Sequence, residues 1–318
     1  MYYRLGCQIA KYKKGNDKLK YVIETHNLKK NYGKKTILND VSIHVKSGEI
    51  YGLIGENGAG KTTIMKIISK LSRASSGLVN ISDVNGREAK ISCLIESPGL
   101  YYNMTAYQNI KCKCILEGIR NTECIKKYLK LVSLKNTGNK KVCDFSLGMK
   151  QRLGVALSLI GEPDIIILDE PINGLDPQGI SEMRELIRKL NCEQGITFLI
   201  SSHILSELSK IADTIGIIHC GKLMEEISVD ELNKKCADYI EIETFDVNRV
   251  KESLEKINVK NVEIVDSRNV RVYGYTDNTV KINKHIIKDG CSIIQSKIIR
   301  MELESYFLEL TGDGEKND

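Results

Sequence analysis

The segment LIGENGAGKTT, which runs from Leu53 to Thr63, has the residue types of a site that binds anions. Glycine costs roughly 0.5–1 kcal/mol relative to alanine inside a regular element, so a cluster of glycines indicates a backbone that must stay bare. A bare backbone lets successive N–H groups converge on phosphate oxygens, and a helix that begins at the same place adds its positive end. The segment therefore predicts a phosphate-binding loop.

The spacing of this segment matches the P-loop pattern, and the expected strand precedes it while the expected helix follows. We expect Lys61 to reach the β- and γ-phosphates of a nucleotide and the Thr62 hydroxyl to bind Mg²⁺. An ordinary tight turn is the structural alternative, but it leaves the run Lys-Thr-Thr unexplained. The predicted nucleotide-binding residues of the loop are Gly55, Glu56, Asn57, Gly58, Ala59, Gly60, Lys61, Thr62 and Thr63.

Two acidic residues end an apolar run in the segment PDIIILDEP. Ligands of parallel sheets bind at the carboxyl ends of the strands, which is where Asp169 and Glu170 are expected to lie. Asp169 is suited to hold Mg²⁺, and Glu170 is placed to activate the attacking water as a general base. The alternative is a pair of acids that caps a helix before Pro171.

The composition of the chain limits the classes of protein to which it can belong. The chain has 318 residues, is 42% hydrophobic and carries a net charge of +6. No apolar run approaches the roughly 18–20 residues that cross a bilayer. The lysines form no basic stripe interleaved with aromatic residues, so binding to nucleic acid is not indicated. The cysteines show no spacing typical of a zinc site.

The pattern of apolar residues divides the chain into several regions. Residues 1–19 are expected to be a tail, either disordered or a translated leader. Residues 20–235 are predicted to form an α/β domain, because strand-length apolar runs such as IIIL and ITFLIS alternate with amphipathic helices, as in a parallel sheet. Residues 97–160 within it are predominantly helical. Residues 236–318 read as a βαββαβ unit of the ferredoxin-like kind.

The stretch DFSLGMKQRLGVAL, taken with the P-loop and with ILDEP, resembles the ATP-binding subunits of ABC transporters. The resemblance implies a P-loop ATPase core that carries antiparallel β and helical subdomains. It also implies a signature that acts on the ATP bound to a second copy. The signature residues are Ser146, Leu147, Gly148, Met149, Lys150 and Gln151.

Other positions resemble further motifs of this family. Asp176 lies in the counterpart of the D-loop, and His203 is similar to the catalytic switch histidine that touches the γ-phosphate. Tyr32 resembles the aromatic residue on which adenine stacks, whereas Tyr51 lies inside a strand and is expected in the core. Glu96 stands where the family usually has a glutamine that senses the nucleotide. Within the family, the segment LIESPGLYYNMTAYQNI is similar to the corresponding segment of bacitracin and lantibiotic exporters and immunity systems.

The resemblance implies an ATPase that uses ATP and Mg²⁺ and energises a membrane exporter. Two ATPase subunits would pack head to tail and would bind a separate transmembrane permease at the cytoplasmic face of the membrane. A soluble ABC-type ATPase that acts on a target such as the ribosome is the main alternative. A regulatory module that binds ATP without turnover is another alternative, but the retained Lys61, Glu170 and His203 oppose it. Co-purification with an integral membrane protein would separate these functions.

Overall fold

The structure of the chain, a computed structural model, describes residues 20–120, 123–300 and 303–312. The chain divides into two compact units, Met1–Val229 and Asp230–Asp318. The predicted tail, residues 1–19, lies outside the described residues. The predicted domain boundary at 235/236 falls at the end of helix Val229–Lys235, whereas the division in the structure falls at its start.

The described part of the first unit contains ten strands and six α-helices. The strands are β1 (Tyr21–Tyr32), β2 (Lys35–Val41), β3 (His44–Lys46), β4 (Ile50–Ile54), β5 (Ser76–Ile81), β6 (Ile91–Leu94), β7 (Ile165–Leu168), β8 (Thr197–Ser202), β9 (Thr214–His219) and β10 (Lys222–Ser228). The helices are α1 (Lys61–Ile68), α2 (Ala106–Leu116), α3 (Glu123–Leu131), α4 (Leu147–Ser158), α5 (Pro177–Gln194) and α6 (Leu205–Leu208). Helix α7 (Val229–Lys235) crosses the division between the two units.

A six-stranded sheet with the order β10-β9-β4-β8-β7-β6 forms the centre of the first unit. All of its pairings are parallel except that between β10 and β9. Strands β4, β7 and β8 are buried along their whole length, which confirms the predicted parallel sheet. Because parallel strands end at one edge, the residues after these three strands meet there.

Two further substructures flank this sheet. Strand β1 pairs with β2, β3 and β5 in a separate antiparallel sheet, whose apolar side chains belong to the same core as β4 and α1. The region 97–160 contains α2, α3 and α4. Helix α2 begins with a capping box, in which the Thr105 hydroxyl accepts from the backbone N–H of Gln108 and the Gln108 side chain accepts from that of Thr105. Such a reciprocal cap satisfies two otherwise unpaired backbone donors.

The described part of the second unit contains four antiparallel strands, β11 (Tyr239–Glu243), β12 (Val262–Ile264), β13 (Asn269–Tyr273) and β14 (Gln295–Ile299). Helix α8 (Val247–Glu255) lies between β11 and β12, and α9 (Thr279–Lys288) lies between β13 and β14. Helix α10 (Leu303–Thr311) follows. The strand order β12-β13-β11-β14 is that of a ferredoxin-like βαββαβ unit, as the sequence predicts. Its core consists of the inward side chains of these strands and helices.

Within the described residues, no helix combines the length and the apolar character that crossing a membrane requires.

Glu49 is a buried carboxyl group at the start of β4 that links three strands. Its side chain accepts hydrogen bonds from the Lys46 backbone N–H at 2.5 Å and from the Thr214 hydroxyl at 3.1 Å. Its backbone carbonyl accepts from the N–H of Phe198 at 2.9 Å. Burial raises the pKa of Glu49 from its ordinary value of 4.5 to about 7, although both hydrogen bonds oppose that shift. The folded chain therefore holds this proton more tightly than the unfolded chain.

The raised pKa of Glu49 makes stability depend on pH. Its contribution to the free energy of unfolding is complete below pH 4.5 and is lost as the pH rises through about 7. The variant Glu49→Gln keeps a neutral side chain of the same shape, so it should match the wild type at pH 4.5 and below. Above neutral pH it should be more stable by on the order of 2–3 kcal/mol. Urea unfolding of both proteins across this pH range measures the difference, and an equal difference at every pH would contradict the assignment.

Candidate nucleotide-binding site

The loop between β4 and α1 requires glycine for two different reasons, lack of space and an unusual backbone conformation. A Cβ atom on Gly55 would lie 2.4 Å from the backbone oxygen of Ile218, so β9 leaves no room for a side chain. Gly58 and Gly60 have φ angles of +87° and +109°, a region that other residues rarely adopt. The sequence pattern is thus explained by close approach at one glycine and by backbone conformation at the other two.

Lys61, the first residue of α1, lies across this loop. Its side chain is nearly buried, and its ammonium group donates to the carbonyl oxygens of Gly55 at 2.7 Å and Glu56 at 3.1 Å. The same nitrogen lies 3.2 Å from Oε1 of Glu170. The charge is therefore held at the mouth of the loop, beside the N-terminal N–H groups of α1. That is the arrangement that the binding of a triphosphate requires.

A second set of contacts joins α1 to the ends of β7 and β8. The Thr62 hydroxyl donates to Oδ2 of Asp169 at 2.8 Å, and the Ser201 hydroxyl donates to Oδ1 at 2.6 Å. Asp169 is buried, and its backbone N–H donates to the carbonyl of Leu94 at 2.9 Å. Hydroxyl and carboxylate oxygens are the donors that Mg²⁺ prefers, so Thr62 and Asp169 fit this ion.

Glu170 lies between two basic side chains. Its Oε1 faces the Lys61 ammonium group, and its Oε2 lies 2.8 Å from Nδ1 of His203. The backbone of Glu170 has a φ angle of +49°, and its N–H donates to the Ser201 hydroxyl at 2.8 Å. Such a strained, multiply held carboxylate has one orientation, which is what a general base needs.

A cavity of about 330 Å³ lies over the loop. Its lining residues are Tyr32, Lys35, Ile37, Glu56, Asn57, Gly58, Gly60, Lys61, Thr62, Thr63 and Glu170. Tyr32 is about half exposed at the rim, with the Lys30 ammonium group 4.7 Å from the centre of its ring. Tyr51, by contrast, is fully buried and donates its hydroxyl to Glu226 at 2.7 Å, which confirms its predicted place in the core.

The other predicted residues adjoin the cavity or lie elsewhere. Gly55 binds Lys61 through its carbonyl, and Ala59 packs into the core. Asp169 and His203 do not line the cavity themselves, but they contact Thr62 and Glu170, which do. The signature segment 146–151 and Asp176 are not among the lining residues. The action of the signature residues on a second copy, and the place of Asp176 in a D-loop, stay predictions.

The signature segment begins helix α4. The Ser146 hydroxyl caps the helix and accepts from the N–H of Met149 at 3.3 Å, while Gln151 is buried. Leu147 is about half exposed, and the Lys150 ammonium group lies 5.5 Å from the centre of the Tyr102 ring. Gly148 has only Leu175 and Arg152 side-chain atoms near the position that a Cβ would take. Asp176 likewise caps α5, because its side chain accepts from the N–H of Gly179 at 3.2 Å.

Glu96 lies just beyond β6, in the left-handed backbone region with a φ angle of +66°. Its side chain is exposed and accepts from the Lys66 ammonium group at 2.6 Å. This hydrogen bond lowers the pKa of Glu96 and raises that of Lys66. The sequence therefore places Glu96 at a strand end correctly, but its partner is found only in the structure.

Sequence reasoning missed three groups at this site. Ser201 orients Asp169 and Glu170 from the neighbouring strand, and the polar pair Ser-Ser before His203 was the available signal. Lys35 and Ile37 line the cavity from β2, which follows Tyr32 across a tight turn. Lys66 falls on the same face of α1 as Thr62, four residues later, and that spacing was the available signal.

Comparisons with known proteins agree with this geometry. The sequence model described as "ABC transporter" matches residues 38–173. The bacitracin transport ATP-binding protein BcrA of Enterococcus faecalis is 41% identical over 302 residues, which cover 93% of this chain and 98% of that protein. The lantibiotic transport ATP-binding protein SrtF of Streptococcus pyogenes is 48% identical over 215 residues, which cover 66% of this chain and 92% of that protein.

The fold is also similar to that of a solved dimeric ATP-binding cassette, MJ0796, bound to ADP and Pi. That chain is 25% identical, has a TM-score of 0.56, and aligns with 65% of this chain and 98% of its own length. This chain therefore belongs to the ATP-binding proteins of ABC transporters, with an ATPase domain that hydrolyses ATP in a transport system.

The first prediction from this site concerns Lys61. Replacement by alanine removes a charge-assisted contact to phosphate and should weaken ATP binding roughly 10–100-fold. Isothermal titration with ATP measures the affinity, and Lys70→Ala provides a control because Lys70 pairs with Glu88 outside the cavity lining. Thermal melting checks that the variant is folded. Unchanged ATP affinity would refute the role of the loop.

The second prediction concerns Glu170. The variant Glu170→Gln keeps the shape of the side chain but cannot accept a proton, so steady-state ATP hydrolysis should fall about 10²–10⁴-fold. Binding of ATP should be retained, and ATP-bound dimers should accumulate in light-scattering measurements. Glu88→Gln, which alters an exposed carboxylate, should behave like the wild type. Rapid turnover by Glu170→Gln would contradict its assignment as the base.

Proposed function

We propose that this chain is the ATP-hydrolysing subunit that energises an exporter of bacitracin-type or lantibiotic-type peptide antibiotics, and so confers resistance or immunity. The observation that carries the proposal is the 41% identity to BcrA over nearly the full length of both chains. Relatives whose names describe transport do not favour the alternative of a soluble ATPase that acts on the ribosome.

The extents of the alignments favour bacitracin as the first cargo to test. The match to SrtF covers 92% of that protein but only 66% of this chain, so SrtF has little chain left to match the second unit. The match to BcrA covers 93% of this chain and therefore extends through the ferredoxin-like unit. A relative with both units is thus a bacitracin transport protein.

The residues of the site have distinct tasks in this proposal. The loop amides and the Lys61 ammonium group bind the phosphates, and the Tyr32 ring offers adenine a flat apolar face. Thr62 and Asp169 would hold Mg²⁺, which when bound supplies positive charge to the β- and γ-phosphates. Glu170 accepts a proton from the attacking water, while His203 orients this carboxylate through their 2.8 Å contact.

The signature completes a site on a second copy of the chain or on a related subunit. The Ser146 hydroxyl and the Gly148 amide lie at the N-terminus of α4, where the helix dipole favours an anion. Their absence from the lining of the cavity is consistent with action across a dimer, as is the dimeric state of the similar cassette MJ0796. Bound ATP would hold such a dimer closed, and hydrolysis would remove the bridging γ-phosphate.

The surface around α2 is the part of the first unit that we assign to the permease. Tyr101 and Tyr102 are each about half exposed, and Ile115 and Leu116 are more exposed still. Exposed apolar side chains on one segment are typical of a protein interface. Binding to a permease there would hold the chain at the cytoplasmic face of the membrane.

Co-expression with a partner permease in a host sensitive to bacitracin tests this proposal. The minimum inhibitory concentration of bacitracin should rise several-fold with the wild-type chain and should not rise with Glu170→Gln. A lantibiotic tested in parallel decides between the two cargo classes. Protection against neither peptide, with the chain found on ribosomes instead of with the membrane fraction, would support the alternative function.

A further inference from the structure

The ion pair between Lys66 and Glu96 lies one helical turn from the proposed magnesium ligands. Thr62 and Lys66 are four residues apart on α1, so they share one face of the helix. The Thr62 hydroxyl donates to Asp169 at 2.8 Å, which shows that this face is directed towards the end of β7. The Lys66 ammonium group lies further along it, 2.6 Å from Oε1 of Glu96.

The topology of the sheet brings Glu96 to the same edge as Asp169. Strand β6 pairs in parallel with β7, with Leu94 opposite Leu168, and the Asp169 N–H donates to the carbonyl of Leu94. Glu96 follows two residues after Leu94, in a left-handed conformation. Such a conformation in a residue other than glycine is stored strain, which occurs often at functional positions.

A carboxylate at this position has an electrostatic cost for a protein that binds a triphosphate. At a separation of about 4 Å and the dielectric of bulk water, one uncompensated negative charge weakens the binding of another by roughly fivefold. A neutral side chain there would have no such effect. The paired cation of Lys66 cancels most of this repulsion and also restricts where the carboxylate can move.

We propose that Lys66 is a positioning residue for Glu96, which neutralises its charge and holds it beside the phosphate end of the nucleotide site. This inference rests on the proposed function, since it concerns how the same site accepts ATP. Lys66 is assigned no contact with the nucleotide itself. Its importance therefore depends entirely on the negative charge of Glu96.

Binding of a fluorescent ATP analogue in the presence of Mg²⁺ tests this dependence with the full chain. At low ionic strength, Lys66→Gln should weaken binding roughly fivefold, and the loss should shrink at high ionic strength because salt screens exposed charges. Lys66→Arg should bind like the wild type. In the Glu96→Gln background, the additional change Lys66→Gln should have no effect, because no charge remains to be neutralised.

Lys70→Gln is the control, since Lys70, near the same end of α1, forms an exposed ion pair with Glu88 and its loss changes the net charge by the same amount. If the Lys66→Gln, Glu96→Gln double variant binds the analogue more weakly than Glu96→Gln alone, the proposal is overturned, because Lys66 then acts on the nucleotide directly. Equal affinities of Lys66→Gln and Lys70→Gln would overturn it as well. If the wild type itself does not bind the analogue, the proposed function fails instead.

Discussion

The geometry of the site depends on one nearly buried ammonium group. The charge of Lys61 lies within 3.2 Å of two loop carbonyls and of Glu170, so it connects the phosphate loop to the end of β7. A buried charge is stable only when it is paired and hydrogen-bonded, and these three oxygen atoms satisfy that requirement. The loop, the Glu170 carboxylate and His203 are thereby connected by hydrogen bonds and ion pairs, in which phosphate oxygens can replace protein oxygens.

The close packing of the loop explains why its residue types are so restricted. Gly55 lies against the backbone of β9, and Gly60 lies against Leu38 of β2, with no space for a side chain at either position. The loop therefore belongs to both the parallel and the antiparallel sheet. A change in either sheet would move the amides that bind phosphate, so the core and the site cannot vary independently.

The same strand ends also connect the nucleotide site to the helical region. Helix α4 approaches the end of β6 so closely that a Cβ on Gly154 would lie 2.9 Å from Pro98 and 3.1 Å from Leu94. The segment from Leu94 to Pro98 thus contacts the helix that carries the signature and also holds Glu96. A shift of this segment would be transmitted to α4 by direct packing, because close-packed groups cannot move separately.

The sequence alone identified the parts of the site whose chemistry is local. The P-loop, the acidic end of β7 and the buried strands could all be predicted from the sequence. The need for glycine, the burial of strands and the capping of helices depend mainly on neighbours along the chain. The βαββαβ order of the second unit could be predicted for the same reason. Only the tertiary structure showed that Ser201 orients Asp169, that Lys66 pairs with Glu96 and that Glu49 is buried with a raised pKa. These contacts join residues that are distant in the sequence, and their partners are chosen by strand register and packing, which no local pattern encodes.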